Sequence, residues 1–325
     1  LLRDFSLGNT FTLCEDVPLE LVTKLKELSV KLKGIDVSEE AVREIAQGDV
    51  IPHEIGTVGP IFAEEYDELK KKGYAMNDSV GKSGIELALE DELRGKDGTK
   101  TINVTNGSVV SADITEEPKG GNTIKLTIDS DYQRDVQEIL ENFTAYLRSS
   151  DGQYRDVYCG AIVVLDVKDN AVLAMATSPT YDLKDYKTKY DEILAADNTP
   201  LLNRATCGLY RPGSTFKTIT ATAGLNEGIV TGNSTYYCGH KMQFYDVEYG
   251  CTGWHNDIAV AEALKVSCNI YFYELSRRLG IDKISEYASM YGFGQHTGLE
   301  TGDYAGAIGN PERFNELGLD WTVGQ

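Results

Sequence analysis

Leu202-Asn-Arg-Ala-Thr-Cys-Gly-Leu-Tyr-Arg-Pro-Gly-Ser-Thr-Phe-Lys217 joins a turn to the start of a helix and sets a serine three residues ahead of a lysine. Arg211-Pro-Gly213 forces the turn, and Thr215-Phe-Lys-Thr-Ile-Thr-Ala-Thr-Ala-Gly224 continues it with helix-compatible residues as far as Gly228. A helix opening there puts Ser214 and Lys217 on one face. A serine hydroxyl is a poor nucleophile near neutral pH and needs an adjacent base. A partly buried lysine that loses its proton can be that base. The free N–H groups of a first helical turn also favour a developing oxyanion. The plain alternative makes Ser214 a helix cap and Lys217 a solvated lysine.

Ser-x-x-Lys carries little information alone, and it recurs at Ser79/Lys82. That copy lies in Asp78-Ser-Val-Gly-Lys-Ser-Gly84, too glycine-rich for a helix. Working outward from Ser214, the surroundings read as a mixed α and β domain. Ile124–Ile128 alternates like a strand, and Asp129 caps a helix carrying Val136, Ile139, Leu140, Phe143 and Leu147. Gly160–Ala176 reads as a hairpin turning at Lys168-Asp-Asn170. Downstream, Ile258–Leu279 is helical apart from Ser267-Cys-Asn269, the only Ser-x-Asn in the chain. Near the start, Leu21, Leu25, Leu28 and Leu32 keep helical spacing after Asp16 and Pro18, and Ser38 opens a second short helix. Pro118-Lys-Gly-Gly-Asn122 marks a junction, dividing residues 1–120 from 121–325.

Composition narrows the function classes. The 325 residues have a net charge of −20 spread over both parts, a surface that repels nucleic-acid phosphates and anionic lipid headgroups. No run approaches the ~18 apolar residues of a membrane span. The first residues do not resemble a signal peptide and no initiator Met is present, so the chain reads as an ectodomain or fragment. Its six cysteines are too few to build a disulfide framework at this length.

The Leu202–Lys217 stretch resembles the active-site serine segment of class B penicillin-binding proteins. The resemblance extends through Leu126-Thr-Ile-Asp129, Gly160–Asp166 with Val172–Pro179, Ser267-Cys-Asn269 and Gly292-Phe-Gly294 with Thr297-Gly298. Residues 81–98 resemble the pedestal that precedes the transpeptidase domain in that family. The implied architecture is α+β and multi-domain: an N-terminal pedestal, or dimerisation-type, domain followed by an incomplete, serine beta-lactamase-like transpeptidase domain. The implied activity is D,D-transpeptidation of peptidoglycan stem peptides ending in D-Ala-D-Ala, through an acyl-enzyme on Ser214. Lys217 is then the proton acceptor, Ser267 the relay to the departing D-alanine, and Asn269 the holder of Lys217 and a substrate amide. The resemblance further implies trapping by beta-lactams, no catalytic cofactor, and wall-synthesis partners such as a glycosyltransferase. It also implies a place at the extracytoplasmic face of the bacterial membrane, anchored by an N-terminal helix absent from this chain. Trp254-His255 and the residues around Ser267 look like the elongation type.

One departure stands out. The family's third motif, Lys-Thr-Gly or Lys-Ser-Gly on a strand, does not follow Asn269; Lys82-Ser-Gly84 spells it but precedes Ser214 and reads as a decoy. The expectation is an enzyme family member whose 325-residue chain is crippled without that strand. The alternatives are a non-catalytic cell-wall scaffold and a serine beta-lactamase or D,D-carboxypeptidase.

Cys238, Cys251, His255 and Cys268 offer three thiolates and an imidazole, a tetrahedral zinc set. Cys268 lies between Ser267 and Asn269, so a structural zinc there would brace that loop from behind. The competing readings are a Cys238–Cys251 disulfide and a buried, inert Cys268, with His240 as a substitute ligand.

Overall fold

The computed structural model describes residues 13–14, 16–28, 31–32, 34–35, 37, 43–76, 78–105, 108–149, 154–244 and 246–318. The chain divides into two units, Leu1–Ala46 and Gln47–Gln325. In the first, helix α1 (Leu19–Leu28) starts directly after Pro18, whose carbonyl accepts from the amides of Leu21 and Val22. The helix expected from Ser38 lies outside the described residues.

The second unit opens with the pedestal-like part. Strand β1 (Val58–Pro60) pairs antiparallel with β2 (Ser79–Gly81), and helix α2 (Ala63–Lys71) lies between them in sequence. Ile61, Tyr74 and Val80 are buried here, with Tyr66 and Leu69 packed against them. Tyr74 serves twice: its ring lies 3.4 Å from the Arg94 guanidinium and its hydroxyl donates to Glu90. A hairpin follows, β3 (Thr99–Thr105) with β4 (Ser108–Glu116). The expected junction folds back on this part through a Lys96–Lys119 bridge and a bond from the Asn122 amide to the Glu92 carbonyl.

Helix α3 (Ser130–Ser149) is capped by Asp129, whose Oδ1 accepts from the amides of Asp131 and Tyr132. Only part of its apolar set faces inward. Val136 and Leu140 are buried against Ala174 and Ala176, whereas Ile139 and Phe143 are exposed. The inward face is completed by Gln133, whose side-chain amide bonds both backbone groups of Met175 as a strand would. The hairpin is β5 (Gly160–Leu165) with β6 (Val172–Ser178), close to expectation, and Asn170 takes the left-handed conformation its turn requires. Ile124–Ile128 forms no strand; among its described contacts, the Thr127 hydroxyl reaches the edge of β6, at the Val172 carbonyl.

The largest core lies beyond Ser214. Helix α4 (Lys217–Asn226) packs against α6 (Asn269–Leu279) and α7 (Ile281–Met290), burying Ala221, Ala223, Leu275 and Tyr287. Small residues allow the close crossing: a Cβ on Gly224 would stand 2.7 Å from Cδ1 of Leu275. Strands β7 (Thr235–Cys238) and β10 (Asn256–Ala259) pair, as do β8 (Lys241–Phe244) and β9 (Val247–Gly250). The expected continuous helix from Ile258 is corrected at its start. Ile258 and Ala259 end β10, and the helix begins as α5 (Val260–Lys265). Pairing with β7 satisfies those backbone groups before the helix can.

Candidate active site and metal cluster

Ser214 sits in a 3₁₀ turn, Gly213–Phe216, that leads into α4 at Lys217. In such a turn, residues i and i+3 eclipse, which brings the two side chains to the same side more directly than an α-helix would. Gly213 takes φ +57, a conformation glycine adopts freely. Phe216 points the other way, against Phe293, with ring centroids 5.7 Å apart and planes nearly perpendicular. That contact gives the Gly292-Phe-Gly294 segment a packing role beneath the turn.

The loop between α5 and α6 brings in the second pair. Ser267 has φ +52, a conformation a non-glycine residue adopts at a cost of about 1–3 kcal/mol when its surroundings hold it there. It is pinned by its own amide to Leu264 O and by the Cys268 amide to Ala263 O. Asn269 begins α6 rather than lying in the break.

Ser214, Lys217, Ser267 and Asn269 meet. Lys217 Nζ donates to the Ser267 carbonyl at 2.8 Å, to Ser267 Oγ at 3.0 Å and to Asn269 Oδ1 at 2.6 Å. Those three acceptors match the three N–H donors of an ammonium. Ser267 Oγ in turn lies 3.0 Å from Ser214 Oγ. Among the described contacts, Ser214 reaches Lys217 by way of Ser267, a route the sequence reading did not draw. Asn269 Nδ2 donates to Gly250 O, so the end of β9 also holds the loop. Burial lowers the Lys217 pKa from the ordinary lysine value, opposed by charge on Cys251 and Cys268.

Cys238, Cys251, His255 and Cys268 also converge, with all four ligand atoms within 4.8 Å of one another. This cluster can hold a metal ion. Cys251 and Cys268 sulfurs are 3.8 Å apart, and His255 Nδ1 lies 3.5 Å and 3.6 Å from the sulfurs of Cys238 and Cys251. Cys238, Cys251 and Cys268 are free cysteines in the structure. His240 stands outside the cluster: its ring stacks on Trp254 at 4.2 Å, and its carbonyl accepts from the Cys251 amide. Burial raises the Cys251 pKa, but donation from the backbone at Gly253, Ile270 and Asn269 outweighs it and brings it down. Cys268 goes up, because burial dominates there. The two sites share a wall, since Asn269 N–H donates to Cys251 Sγ at 3.3 Å.

Lys82-Ser-Gly84 has unrelated partners. Lys82 Nζ meets Glu65 at 2.5 Å above the Phe62 ring, and Ser83 Oγ accepts from the Thr57 amide. The tripeptide there closes the pedestal-like fold.

A serine, a lysine and a second serine are joined by hydrogen bonds at the head of a helix, an arrangement whose chemistry suits serine acyl transfer. Residues 160–322 match the profile of the penicillin-binding protein transpeptidase domain, and residues 3–126 that of the penicillin-binding protein dimerisation domain. The chain belongs to the class B penicillin-binding proteins, a family of serine-type enzymes. Within it, the chain is similar to the peptidoglycan D,D-transpeptidase MrdA of Escherichia coli K12. The two are 30% identical over 284 residues, covering 83% of this chain and 42% of that protein. The chain thus spans less than half the length of that relative. It also superposes on a solved peptidoglycan synthase complex with TM-score 0.74 and 32% identity, over 95% of this chain and 55% of the other. The complex of penicillin-binding protein PBP2 with MreC from Helicobacter pylori shares the fold, with TM-score 0.78 and 23% identity over 95% of this chain and 56% of that one.

Proposed function

We propose that Ser214 is the acylated nucleophile of a peptidoglycan D,D-transpeptidase of the elongation type, with Lys217 its base and Ser267 the proton relay between them. The observation that carries this reading is the Ser214–Ser267–Lys217 hydrogen-bond chain. When Lys217 is neutral, its two remaining N–H groups stay on the Ser267 and Asn269 carbonyl oxygens, and its lone pair faces Ser267 Oγ. Ser214 then passes its proton to Ser267, which passes its own to Lys217. Ser214 Oγ bonds to the carbonyl carbon of the penultimate D-alanine, and first-turn N–H groups face the resulting oxyanion. Collapse breaks the C–N bond. The departing D-alanine amine takes the proton from Lys217 back through Ser267. An amine of a second stem attacks the ester, forms the new amide and returns a proton to Ser214. A beta-lactam carbonyl would enter the same path and remain as a slow ester.

Residues 1–120 serve in this reading as the pedestal and 121–325 as the first part of the transpeptidase domain. The similarity to MrdA and to structures of complexes supports action at the extracytoplasmic face of the membrane alongside a glycosyltransferase and other wall-synthesis partners. Among the described residues no helix is long and apolar enough to cross a membrane. A Lys-Ser/Thr-Gly strand would add a cation beside Lys217 and an anchor for the substrate carboxylate. With no Lys-Ser/Thr-Gly downstream of Asn269, the 325 residues taken alone are proposed to acylate slowly.

The metal proposed for the Cys₃His cluster is zinc in a structural role. A tetrahedron with Zn–S near 2.3 Å and Zn–N near 2.0–2.1 Å has S···S edges of about 3.8 Å and S···N edges of about 3.6 Å. Three of the six ligand-atom separations, 3.8, 3.5 and 3.6 Å, match those edges, and all four ligand atoms lie within 4.8 Å of one another. Cys268 then holds the Ser267–Asn269 loop from behind, and Cys251 keeps its bond from the Asn269 amide.

The test is turnover by the gene's full-length product. Given a stem peptide ending in D-Ala-D-Ala and an amine acceptor, it should release D-alanine and form the cross-linked dimer. Release without dimer indicates a carboxypeptidase, and rapid penicillin hydrolysis a beta-lactamase. Neither release nor penicillin adduct would leave a scaffold.

A further inference from the structure

We infer that Glu54, in the pedestal-like part, is a positioning residue for the Ser214 turn; the inference rests on the acyl-transfer reading above. Glu54 is 6% exposed. A buried carboxylate is costly unless donors meet it, and the donors here come from far along the chain. Asn203 Nδ2 donates to Oε1 at 2.5 Å and Thr301 Oγ1 to Oε2 at 2.6 Å. Each oxygen is thus spent on the part of the chain that carries Ser214.

The backbone beneath Glu54 is fixed in an unfavourable shape. Ile51, a β-branched residue, stands at φ +44 and ψ +51 at the head of the Pro52–Ile55 turn, a genuine outlier for such a side chain. The turn has no room to shift. A Cβ on Gly84 would meet the Glu54 carbonyl oxygen at 2.4 Å, and one on Gly56 would meet the Ser83 carbonyl oxygen at 1.9 Å. Strain and close approach together aim one carboxylate across to the catalytic part.

What it grips leads to the nucleophile. Asn203 caps the Arg204–Cys207 turn, its Oδ1 accepting from the Ala205 amide. Thr301 precedes Tyr304, whose amide donates to the Thr206 carbonyl of that same turn. Glu54 therefore holds both supports of the helical turn that runs through Gly208–Gly213 into Ser214. Releasing them displaces the serine from Ser267, and a misplacement of about 1 Å at a reacting atom costs roughly a hundredfold in rate.

The experiment measures acylation of the full-length gene product by a fluorescent penicillin, resolving the noncovalent dissociation constant from the first-order acylation constant. Glu54→Leu, which fills the space but accepts no bond, should slow the acylation constant roughly 10–100-fold and leave the dissociation constant within about threefold. Glu54→Gln can bond both partners through its carbonyl and amide, and should stay within about threefold of the parent in both constants. If Glu54→Leu does not fold, Thr301→Val decides the matter, with slowed acylation expected. A folded Glu54→Leu, or a Thr301→Val, that acylates at the parent rate overturns the inference alone. A parent with no adduct on Ser214 overturns the acyl-transfer reading and this inference with it.

Discussion

Lys217 Nζ donates to Asn269 Oδ1 across 2.6 Å, joining side chains fifty-two residues apart. The bond ties the first turn of α4 to the first turn of α6. It also uses one of the two N–H groups a neutral Lys217 keeps, which directs the lone pair to Ser267. Asn269→Ala removes that restraint together with the Gly250 contact. The acylation constant of the full-length protein should fall about 10–100-fold with the fold intact, as measured by stopped-flow labelling and circular dichroism.

Acylation should depend on pH in a definite direction. The base is the uncharged amine, and burial lowers the Lys217 pKa from the ordinary lysine value. The rate therefore rises with pH, and its midpoint lies below the ~10.4 of a free lysine. A pH–rate profile of penicillin acylation that is flat, or has its midpoint at the free-lysine value, contradicts the assignment of Lys217.

Protein purified without chelator should contain one equivalent of zinc. Cys268→Ser should lower zinc content and reduce Tm by about 5 °C or more. Less than a tenth of an equivalent by elemental analysis removes the zinc proposal.

Lys82→Ala should leave the acylation rate within about twofold of the parent. Lys82 closes the pedestal-like fold onto Glu65 and has no partner near Ser214 among its described contacts. Loss of acylation would make Lys82-Ser-Gly84 a working third motif.

The crossing of α4 and α6 supports the site mechanically. Gly224→Ala pushes a methyl group against Leu275 and should destabilise by about 1–3 kcal/mol. Leu275→Ala should cost about 2–5 kcal/mol. The two should cost less together than their sum, because the smaller residue at 275 admits the methyl group. Denaturant unfolding of the four proteins measures this.

The parts of the fold legible in sequence are those set by local chemistry. Asp129 caps its helix and the β5–β6 hairpin turns near Asn170 because short-range bonding decides both. Ile124–Ile128 has the alternation of a strand but no ladder partner among the described residues, and alternation alone cannot supply one. The inward face of α3 misled for a related reason: Gln133 is buried because it pairs with the Met175 backbone, which no periodicity reveals. At the site, the pairing of Ser214 with Lys217 follows from their spacing, whereas only the resemblance to the family joins Ser267 and Asn269 to them. The route through Ser267 depends on its left-handed backbone, and Glu54 depends on contacts 149 and 247 residues away. Neither leaves a local signal.

The most direct measurement is peptide mapping of the penicillin adduct on the gene's full-length product by mass spectrometry. The account predicts one modified residue, Ser214, and no adduct in Ser214→Ala. An adduct on another residue, or one that persists at full yield in Ser214→Ala, would contradict it.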